Sequence, residues 1–243
     1  DMVDLDAATD RGIPVFNTPH YCLEEVATHT MSLILACERR VCQYDYDVTS
    51  GGWDYESRAP IRRFSSKTVG VVGCGDIGLE VVQRLQGFDV DVVGYDPYVS
   101  ESEMRRHGIR KADFESLCAD ADVITVHTPL TESTRHLIDA AAFDSMETGT
   151  TLVNAARGGI VDQAALHDAI EDGTVAYAGL DVLEHEPHED DRLLGFDNVV
   201  ITPHAAWYSE DALAELQRQA GENVAAFLDG DVPDHVVNDS VLE

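Results

Sequence analysis

Short apolar runs alternate with amphipathic segments from residue 67 onward. The runs predict β-strands at residues 68–72, 90–95, 122–127, 150–154, 175–181 and 198–202. Apolar residues at helical spacing predict helices at residues 76–86, 101–107 and 162–172, with shorter pieces elsewhere. Because strands and helices alternate, we expect an α/β fold built on a doubly wound parallel sheet.

Two longer helices flank this region. Helical spacing of apolar residues predicts the first over residues 23–45 and the second over residues 209–229. The sequence also predicts a short strand at 13–16 and a loop at 50–66.

The net charge of the chain argues against one class of partner and favours a particular environment. The chain carries 46 acidic against 16 basic residues, a formal net charge of −30. Such a surface repels phosphate backbones, so we expect no nucleic-acid partner. Because 44% of the residues are apolar and periodic segments fill the chain, the charge does not indicate disorder. It favours a halophilic protein, since concentrated salt screens the repulsion between carboxylates.

Neither a membrane span nor secretion is indicated. The longest apolar stretch, residues 31–37, is far too short to cross a bilayer, and no signal peptide is visible. The five cysteines form no CxxC pair, which is typical of reduced thiols buried as small apolar side chains. We therefore expect a cytoplasmic protein without a membrane partner.

A glycine-rich turn follows the first strand of the predicted sheet and opens the next helix. Gly73, Gly75 and Gly78 form a GxGxxG pattern that includes Asp76 and Ile77. The first glycine permits a tight turn, the second lets a pyrophosphate approach the backbone, and the third lets helix and strand pack closely. The pyrophosphate is expected at the helix N-terminus, which favours anions.

The next strand ends in an acidic residue, Asp96. A carboxylate at this place accepts hydrogen bonds from the adenosine ribose hydroxyls and repels a 2′-phosphate. No arginine stands beside it at residues 97–100. The sequence therefore predicts a Rossmann-type site that prefers NAD to NADP, with a glycine-rich turn that binds nothing as the alternative.

Three chemically active side chains, Arg157, Glu186 and His204, each follow an apolar run. In an open α/β sheet the strand ends converge on one crevice where ligands bind. A cation, a carboxylate and an imidazole gathered there can polarise, protonate and orient a small carbonyl compound. The alternatives are a surface ion pair or sheet-edge cap for Arg157, a solvated carboxylate for Glu186 and an ordinary strand-end histidine for His204.

An acidic run at residues 184–191 contains His185 and His188. Imidazole and carboxylate groups are potential metal ligands, but their spacing here matches no established pattern. We expect a solvated surface and no metal.

Several short motifs, in the same order along nearly the whole chain, resemble the D-isomer-specific 2-hydroxyacid dehydrogenase family. They lie at residues 17–19, 73–78, 95–98, 153–162, 179–187 and 202–210. Within that family, residues 204–210, HAAWYSE, are most similar to the C-terminal-binding-protein branch.

The resemblance implies two domains joined by two crossing helices. Residues 1–20 resemble a remnant of a flavodoxin-like substrate domain whose N-terminal part is missing, including a glycine-rich loop for the substrate carboxylate. Residues 21–205 resemble the NAD-binding Rossmann domain, and residues 206–243 the connector that returns to the substrate domain. The helices at 23–45 and 209–229 resemble the connectors. The first has an apolar face broad enough for the core and for the partner in a homodimer.

The resemblance also assigns roles by position. Arg157 resembles the substrate-binding arginine, His204 the general acid/base and Glu186 the partner of that histidine. Trp207 resembles a substrate-pocket aromatic residue, with packing at a helix start as the alternative. Further contacts with the cofactor, besides those of Arg157 and His204, are implied for Thr128, Pro129, Ala155, Ala156 and Asp181.

The function implied is that of an NAD-dependent oxidoreductase that interconverts a 2-oxo acid and its D-2-hydroxy acid. Two alternatives stay open, an NAD(H)-sensing scaffold that recruits partners and a phosphoglycerate dehydrogenase. The presence of Arg157, Glu186 and His204 together favours the enzyme, because a pure scaffold does not need this combination.

Overall fold

The computed structural model describes residues 3–188, 192–233 and 235–242. These residues group into two compact units. The larger unit is Val26–Ala206, and the smaller one combines the described residues up to Glu25 with those from Trp207 onward.

The larger unit contains a seven-stranded sheet. Its strands are β1 Thr68–Val72, β2 Asp91–Tyr95, β3 Arg110–Lys111, β4 Val123–Val126, β5 Thr150–Asn154, β6 Val175–Leu180 and β7 Val199–Ile201. All pair in parallel, in the order β3-β2-β1-β4-β5-β6-β7. The strand order reverses between β1 and β4, and ligands bind at such a switch point in open sheets. The predicted doubly wound parallel sheet is confirmed.

All six predicted strands are present with nearly the predicted ends. The seventh, β3, was missed because its two residues are a basic pair with no apolar run. It pairs with β2 at the sheet edge, where backbone hydrogen bonds rather than burial define a strand.

The helices are α1 Leu5–Thr9, α2 Leu23–Arg39, α3 Val41–Thr49, α4 Asp76–Leu85, α5 Glu101–Arg106, α6 Phe114–Asp120, α7 Ala140–Ser145, α8 Gln163–Glu171 and α9 Glu210–Leu228. Six of them begin after an Asp or Ser whose side chain accepts a backbone N–H of the first turn, as N-caps do. No helix in the described ranges is long and apolar enough to cross a membrane.

Buried side chains cover both faces of the sheet. One cluster joins the strands to α6, α7 and α8 through residues such as Leu117, Phe143 and Leu166. The other joins them to α2 and α4 through residues such as Ile34 and Leu85. The neighbouring valines Val71 and Val72 of β1 enter opposite clusters, which explains why consecutive residues of this strand are apolar.

The single helix predicted over residues 23–45 is wrong. Arg40 has a left-handed backbone (φ 59°) and separates α2 from α3. Its guanidinium lies 3.2 Å from the centre of the Tyr177 ring on β6 and donates a hydrogen bond to the Cys37 carbonyl. This cation–π contact holds a conformation that the local helical pattern does not predict.

The strand predicted at residues 13–16 is also wrong. In the smaller unit, Phe16 forms only an isolated antiparallel bridge with Val236. The buried Asn238 also contacts this segment, since its side chain accepts from the Val15 amide and donates to the Ile13 carbonyl. A segment with one bridging residue lacks the neighbouring strands that a sheet needs.

Candidate active site

The glycine loop begins directly after β1. Gly73 has φ 93° and donates its N–H to the Tyr95 carbonyl. A Cβ at Gly73 would lie 2.7 Å from the His127 carbonyl carbon and 2.8 Å from the Thr128 nitrogen. A Cβ at Gly78 would collide with the Gly73 carbonyl. Side chains are therefore excluded at both positions, as the sequence predicted for a tight turn and a close strand–helix contact.

Space for an anion lies at the middle of the loop. Gly75 is the N-cap of α4, provides no side-chain cap, and a Cβ added there would meet nothing within 4 Å. Asp76 is exposed and Ile77 half-buried in the first turn. The orphan N–H groups of a helix start, together with open space above a glycine, fit the pyrophosphate of a dinucleotide.

Asp96, predicted to contact the ribose, holds the glycine loop through its carboxylate. One carboxylate oxygen accepts from the Cys74 amide at 3.0 Å, and the other accepts from the Tyr98 and Val99 amides at 2.8 and 3.3 Å. A carboxylate offers about four lone-pair sites, so it can still accept from ribose hydroxyls. The residue predicted as a cofactor contact is thus also a structural anchor.

Two cofactor candidates follow β4. Thr128 lies against the glycine loop through its backbone nitrogen, and Pro129 is exposed. The Thr134 hydroxyl donates to the Pro129 carbonyl at 2.6 Å and shapes the turn. His127, which the sequence did not single out, lies between β4 and these residues, with Nε2 2.9 Å from Thr125 Oγ1. Burial lowers the pKa of His127 to about 4.

The loop after β5 is ordered by Asn154, another residue that sequence reasoning missed. Its buried side chain donates to the Arg157 carbonyl and accepts from the Ala156 amide, both at 3.0 Å. Ala155 is buried, and the exposed Arg157 donates from Nη1 to the Ala156 carbonyl. A polar residue directly after the apolar pair Leu152 and Val153 is the signal that could have identified this position.

The Arg157 loop and the Glu186 loop are in direct contact. A Cβ at Gly158 would collide with the carbonyl group of Leu183 and would also lie too close to the backbone nitrogen of Glu184. His136 adds a second link to the same segment, because its Nε2 lies 2.7 Å from Glu184 Oε1.

Glu186 and His204 form the pair that the sequence predicted. His204 Nδ1 lies 2.7 Å from Glu186 Oε2, and the other carboxylate oxygen accepts from the Leu183 amide at 2.8 Å. The side chains are 43% and 35% exposed, so both remain accessible. His204 has a left-handed backbone (φ 53°), a strained conformation that sets the direction in which its side chain leaves the main chain.

Asp181, predicted to contact the nicotinamide, is buried beneath the segment that carries His204. Its carboxylate accepts from the Ala205 and Ala206 amides at 2.9 and 2.8 Å and from the Thr202 hydroxyl at 2.5 Å. Its own carbonyl accepts from the His204 amide at 2.8 Å. Asp181 therefore shapes the backbone around the imidazole.

Trp207 belongs to the smaller unit and packs among aromatic rings. Its ring centre lies 6.1 Å from that of Tyr21 and 5.6 Å from that of Tyr208. These contacts favour the packing alternative for Trp207, and the role in a substrate pocket stays a prediction.

A cluster of metal-ligand type within the described residues consists of His167, Asp168 and Glu171 on α8. Its two acids are exposed, and the His167 ring packs on Phe196. His185 and His188 are not part of it. Residues 189–191 of the acidic run lie outside the described residues.

The sequence matches the family "D-isomer specific 2-hydroxyacid dehydrogenase, NAD binding domain" over residues 31–206. The chain belongs to this family. The family predicted from the motifs and the NAD cofactor are thereby confirmed.

Two named relatives and one solved structure are similar to the chain over nearly its whole length. The chain is 42% identical to D-3-phosphoglycerate dehydrogenase of Archaeoglobus fulgidus, over 95% of this chain and 44% of that protein. It is 37% identical to glyoxylate reductase of Korarchaeum cryptofilum, over 100% of this chain and 74% of that protein. The D-lactate dehydrogenase of Aquifex aeolicus, complexed with NAD and lactic acid, superposes with a TM-score of 0.90 at 32% identity, covering 98% of this chain and 77% of that chain. The chain thus spans less than half the length of the phosphoglycerate dehydrogenase that it matches.

Proposed function

We propose that the protein is an NAD-dependent dehydrogenase that interconverts a 2-oxo acid and its D-2-hydroxy acid. The observation that carries this proposal is the 2.7 Å contact between His204 Nδ1 and Glu186 Oε2 in a domain with a dinucleotide-binding glycine loop. A positioned imidazole–carboxylate pair supplies the proton transfer that carbonyl reduction requires.

His204 is the general acid and base in this proposal. Because Nδ1 is engaged by Glu186, Nε2 is the nitrogen that gives a proton to the carbonyl oxygen or takes it from the hydroxyl. Glu186 fixes the orientation of the ring and stabilises its protonated form. When bound, NAD supplies the hydride chemistry.

Arg157 binds the substrate. A guanidinium pairs with a carboxylate through two parallel hydrogen bonds, and the same positive charge polarises the neighbouring carbonyl. Its exposure and the rigid Asn154 turn beneath it support this role.

The remaining cofactor contacts are proposals as well. Gly73, Gly75, Asp76, Ile77 and Gly78 surround the pyrophosphate, and Asp96 selects the ribose of NAD over that of NADP. Thr128, Pro129, Ala155, Ala156 and Asp181 line the rest of the cofactor, together with Arg157 and His204. Trp207 contacts the substrate.

The enzyme is tested by following NADH oxidation by the full-length protein in concentrated salt with a panel of 2-oxo acids. The expected result is turnover that His204→Ala abolishes. Turnover that survives this substitution contradicts the mechanism.

Phosphoglycerate dehydrogenase is a second candidate, because relatives that carry this name are 42% and 38% identical to the chain. Oxidation of D-3-phosphoglycerate in the same assay, at a higher kcat/KM than for unphosphorylated acids, would select it. Tight NADH binding without turnover of any acid would favour the scaffold and the C-terminal-binding-protein branch.

We propose a homodimer whose partner surface lies on α3 and the following loop. The apolar face of α2 is buried in the domain core, but Val41, Tyr46, Trp53 and Tyr55 are 56%, 67%, 89% and 82% exposed. Aromatic side chains are enriched at protein interfaces. Light scattering of the wild type and of Trp53→Ser tests this proposal, with a dimer expected only for the first.

We further propose connector roles for α2 and α9 and domains at residues 1–20, 21–205 and 206–243. The division of the described residues at Glu25/Val26 and Ala206/Trp207 supports this scheme.

The proposal of a cytoplasmic, halophilic protein is supported by the five free cysteines and by the net charge of −30. Unfolding on dialysis from molar to millimolar salt is expected, and stability without salt would contradict adaptation to it.

A further inference from the structure

A second histidine, His29 on α2, lies beside the segment that carries His204. Its Nε2 is 2.9 Å from Thr202 Oγ1 and 3.5 Å from Asp181 Oδ1. The His29 side chain is 25% exposed and that of Asp181 only 1%. The imidazole therefore reaches from the helix into a buried polar network.

The direction of these hydrogen bonds follows from proton counting. Asp181, as a carboxylate, only accepts, so Thr202 donates its one hydroxyl proton to Oδ1 at 2.5 Å. Thr202 Oγ1 can then only accept from His29, which must carry its proton on Nε2. The result is a chain of donors from His29 through Thr202 to Asp181, in which each bond polarises the next.

This chain ends on the backbone of the proposed general acid. Asp181 accepts the amides of Ala205 and Ala206 through its side chain and that of His204 through its carbonyl. His204 has φ 53°, a conformation that persists only where surrounding contacts hold it. Loss of the His29 hydrogen bond is therefore expected to disturb Thr202 and Asp181, and through them the backbone that sets the direction of the His204 ring.

We propose that His29 is a positioning residue for the reaction. Acting through Thr202 and Asp181, it keeps residues 202–206 in the arrangement that presents His204 to Glu186 and to the substrate. This inference rests on the proposed function. Small displacements of a catalytic group cost up to about 100-fold in rate, so the effect falls on kcat.

The test compares His29→Leu with His29→Gln in the full-length protein. Leucine has a similar size but no donor, whereas the glutamine amide nitrogen can take the place of Nε2. We expect kcat to fall at least about tenfold in His29→Leu and to return to within about threefold of wild type in His29→Gln. NADH affinity, measured by fluorescence titration, stays within about twofold in both variants.

Ser32→Ala is the matched control. Ser32 is exposed on the same helix, and among the described contacts its hydroxyl donates a hydrogen bond only to the Thr28 carbonyl one turn earlier. If His29→Leu fails to fold, Thr202→Val against Thr202→Ser makes the same comparison. Wild-type kcat in His29→Leu, or equal losses in the leucine and glutamine variants, overturns the proposal.

Failure of the proposed function gives a different result, namely no turnover by the wild type. Proton NMR of the imidazole then tests the positioning role alone. The His204 Nδ1 proton, hydrogen-bonded to Glu186, should give a downfield signal that His29→Leu broadens or moves and His29→Gln preserves. An unchanged signal in His29→Leu rejects the inference.

Discussion

Gly158 packs directly against the carbonyl group of Leu183, with no room for a side chain between them. The contact joins the loop of Arg157 to the loop of Glu186, which the sequence separates widely. Any side chain at residue 158 must push the two loops apart.

Gly158→Ala is therefore expected to destabilise the protein by about 1–3 kcal/mol, the usual cost of overpacking. Turnover should fall at least about tenfold, since the groups proposed to bind the substrate and to transfer the proton shift relative to each other. Urea unfolding and steady-state kinetics measure both effects. Gly87→Ala is the control, because a Cβ there meets nothing within 4 Å. Equal behaviour of the two variants would contradict the steric argument.

Glu186→Gln keeps an oxygen for the Leu183 amide but removes the charge that faces His204 Nδ1. Because the protonated imidazole loses its counter-charge, kcat should fall about 100-fold. The dissociation constant of NADH should change by less than about twofold, as measured by fluorescence titration. The exposed neighbour His185→Gln serves as control. Loss of NADH binding in parallel with kcat would assign Glu186 to the cofactor site instead.

A buried ion pair links α2 to the start of β1. Lys67 Nζ lies 2.6 Å from Glu38 Oε2, with the side chains 8% and 3% exposed, and Glu38 Oε1 accepts from the Thr151 hydroxyl. Lys67→Met leaves this carboxylate without its counter-charge and should cost about 3–5 kcal/mol in urea unfolding. The double variant Lys67→Met/Glu38→Leu should recover most of that loss. A double variant as unstable as the single one would show that the charge is not the cause.

His127 is expected to make the protein sensitive to acid. Burial lowers its pKa from 6.5 to about 4, so between these values the unfolded chain binds the proton and the folded chain does not. Stability is retained above pH 6.5 and falls as the pH approaches 4, by on the order of 3 kcal/mol from this group. Urea unfolding from pH 7 to pH 4 should show a shallower decline for His127→Gln. Parallel curves would exclude His127 as the source.

The thiols should separate into reactive and inert classes. Cys42 is exposed, whereas burial raises the pKa of Cys37, Cys74 and Cys118 to about 12. A disulfide reagent at pH 8 should label Cys42 quickly and these three only after unfolding, because the thiolate is the reacting species. Cys42→Ser should remove the fast phase. Because the folded chain keeps these protons above pH 9 while the unfolded chain releases them, stability should fall as the pH rises from 9 toward 12.

Patterns that act over a few neighbouring residues were sufficient for most elements. The largely apolar strands specify local structure directly, and six of them were predicted with nearly the right ends, as were α4, α5, α8 and α9. Gly73 and Gly78 were likewise predicted from spacing, because the tight turn and the strand–helix contact are local requirements. Arg157, Glu186 and His204 also lie in short local motifs, and the chemistry assigned to them stays a proposal.

Contacts between distant residues decided what the sequence missed. The helix ends at Arg39 because the Arg40 guanidinium stacks on Tyr177, far along the chain. The contact of His29 with Thr202, 173 positions along the chain, likewise forms only in the folded protein.

The sequence by itself determined six strands of the sheet and the glycine loop, and it singled out the side chains proposed to react, since these depend on periodicity and local spacing. Only the tertiary structure decided how those side chains are held. Asp181 illustrates the reason, because a strand-end acid has no fixed role until folding surrounds its carboxylate with the donors of Thr202, Ala205 and Ala206.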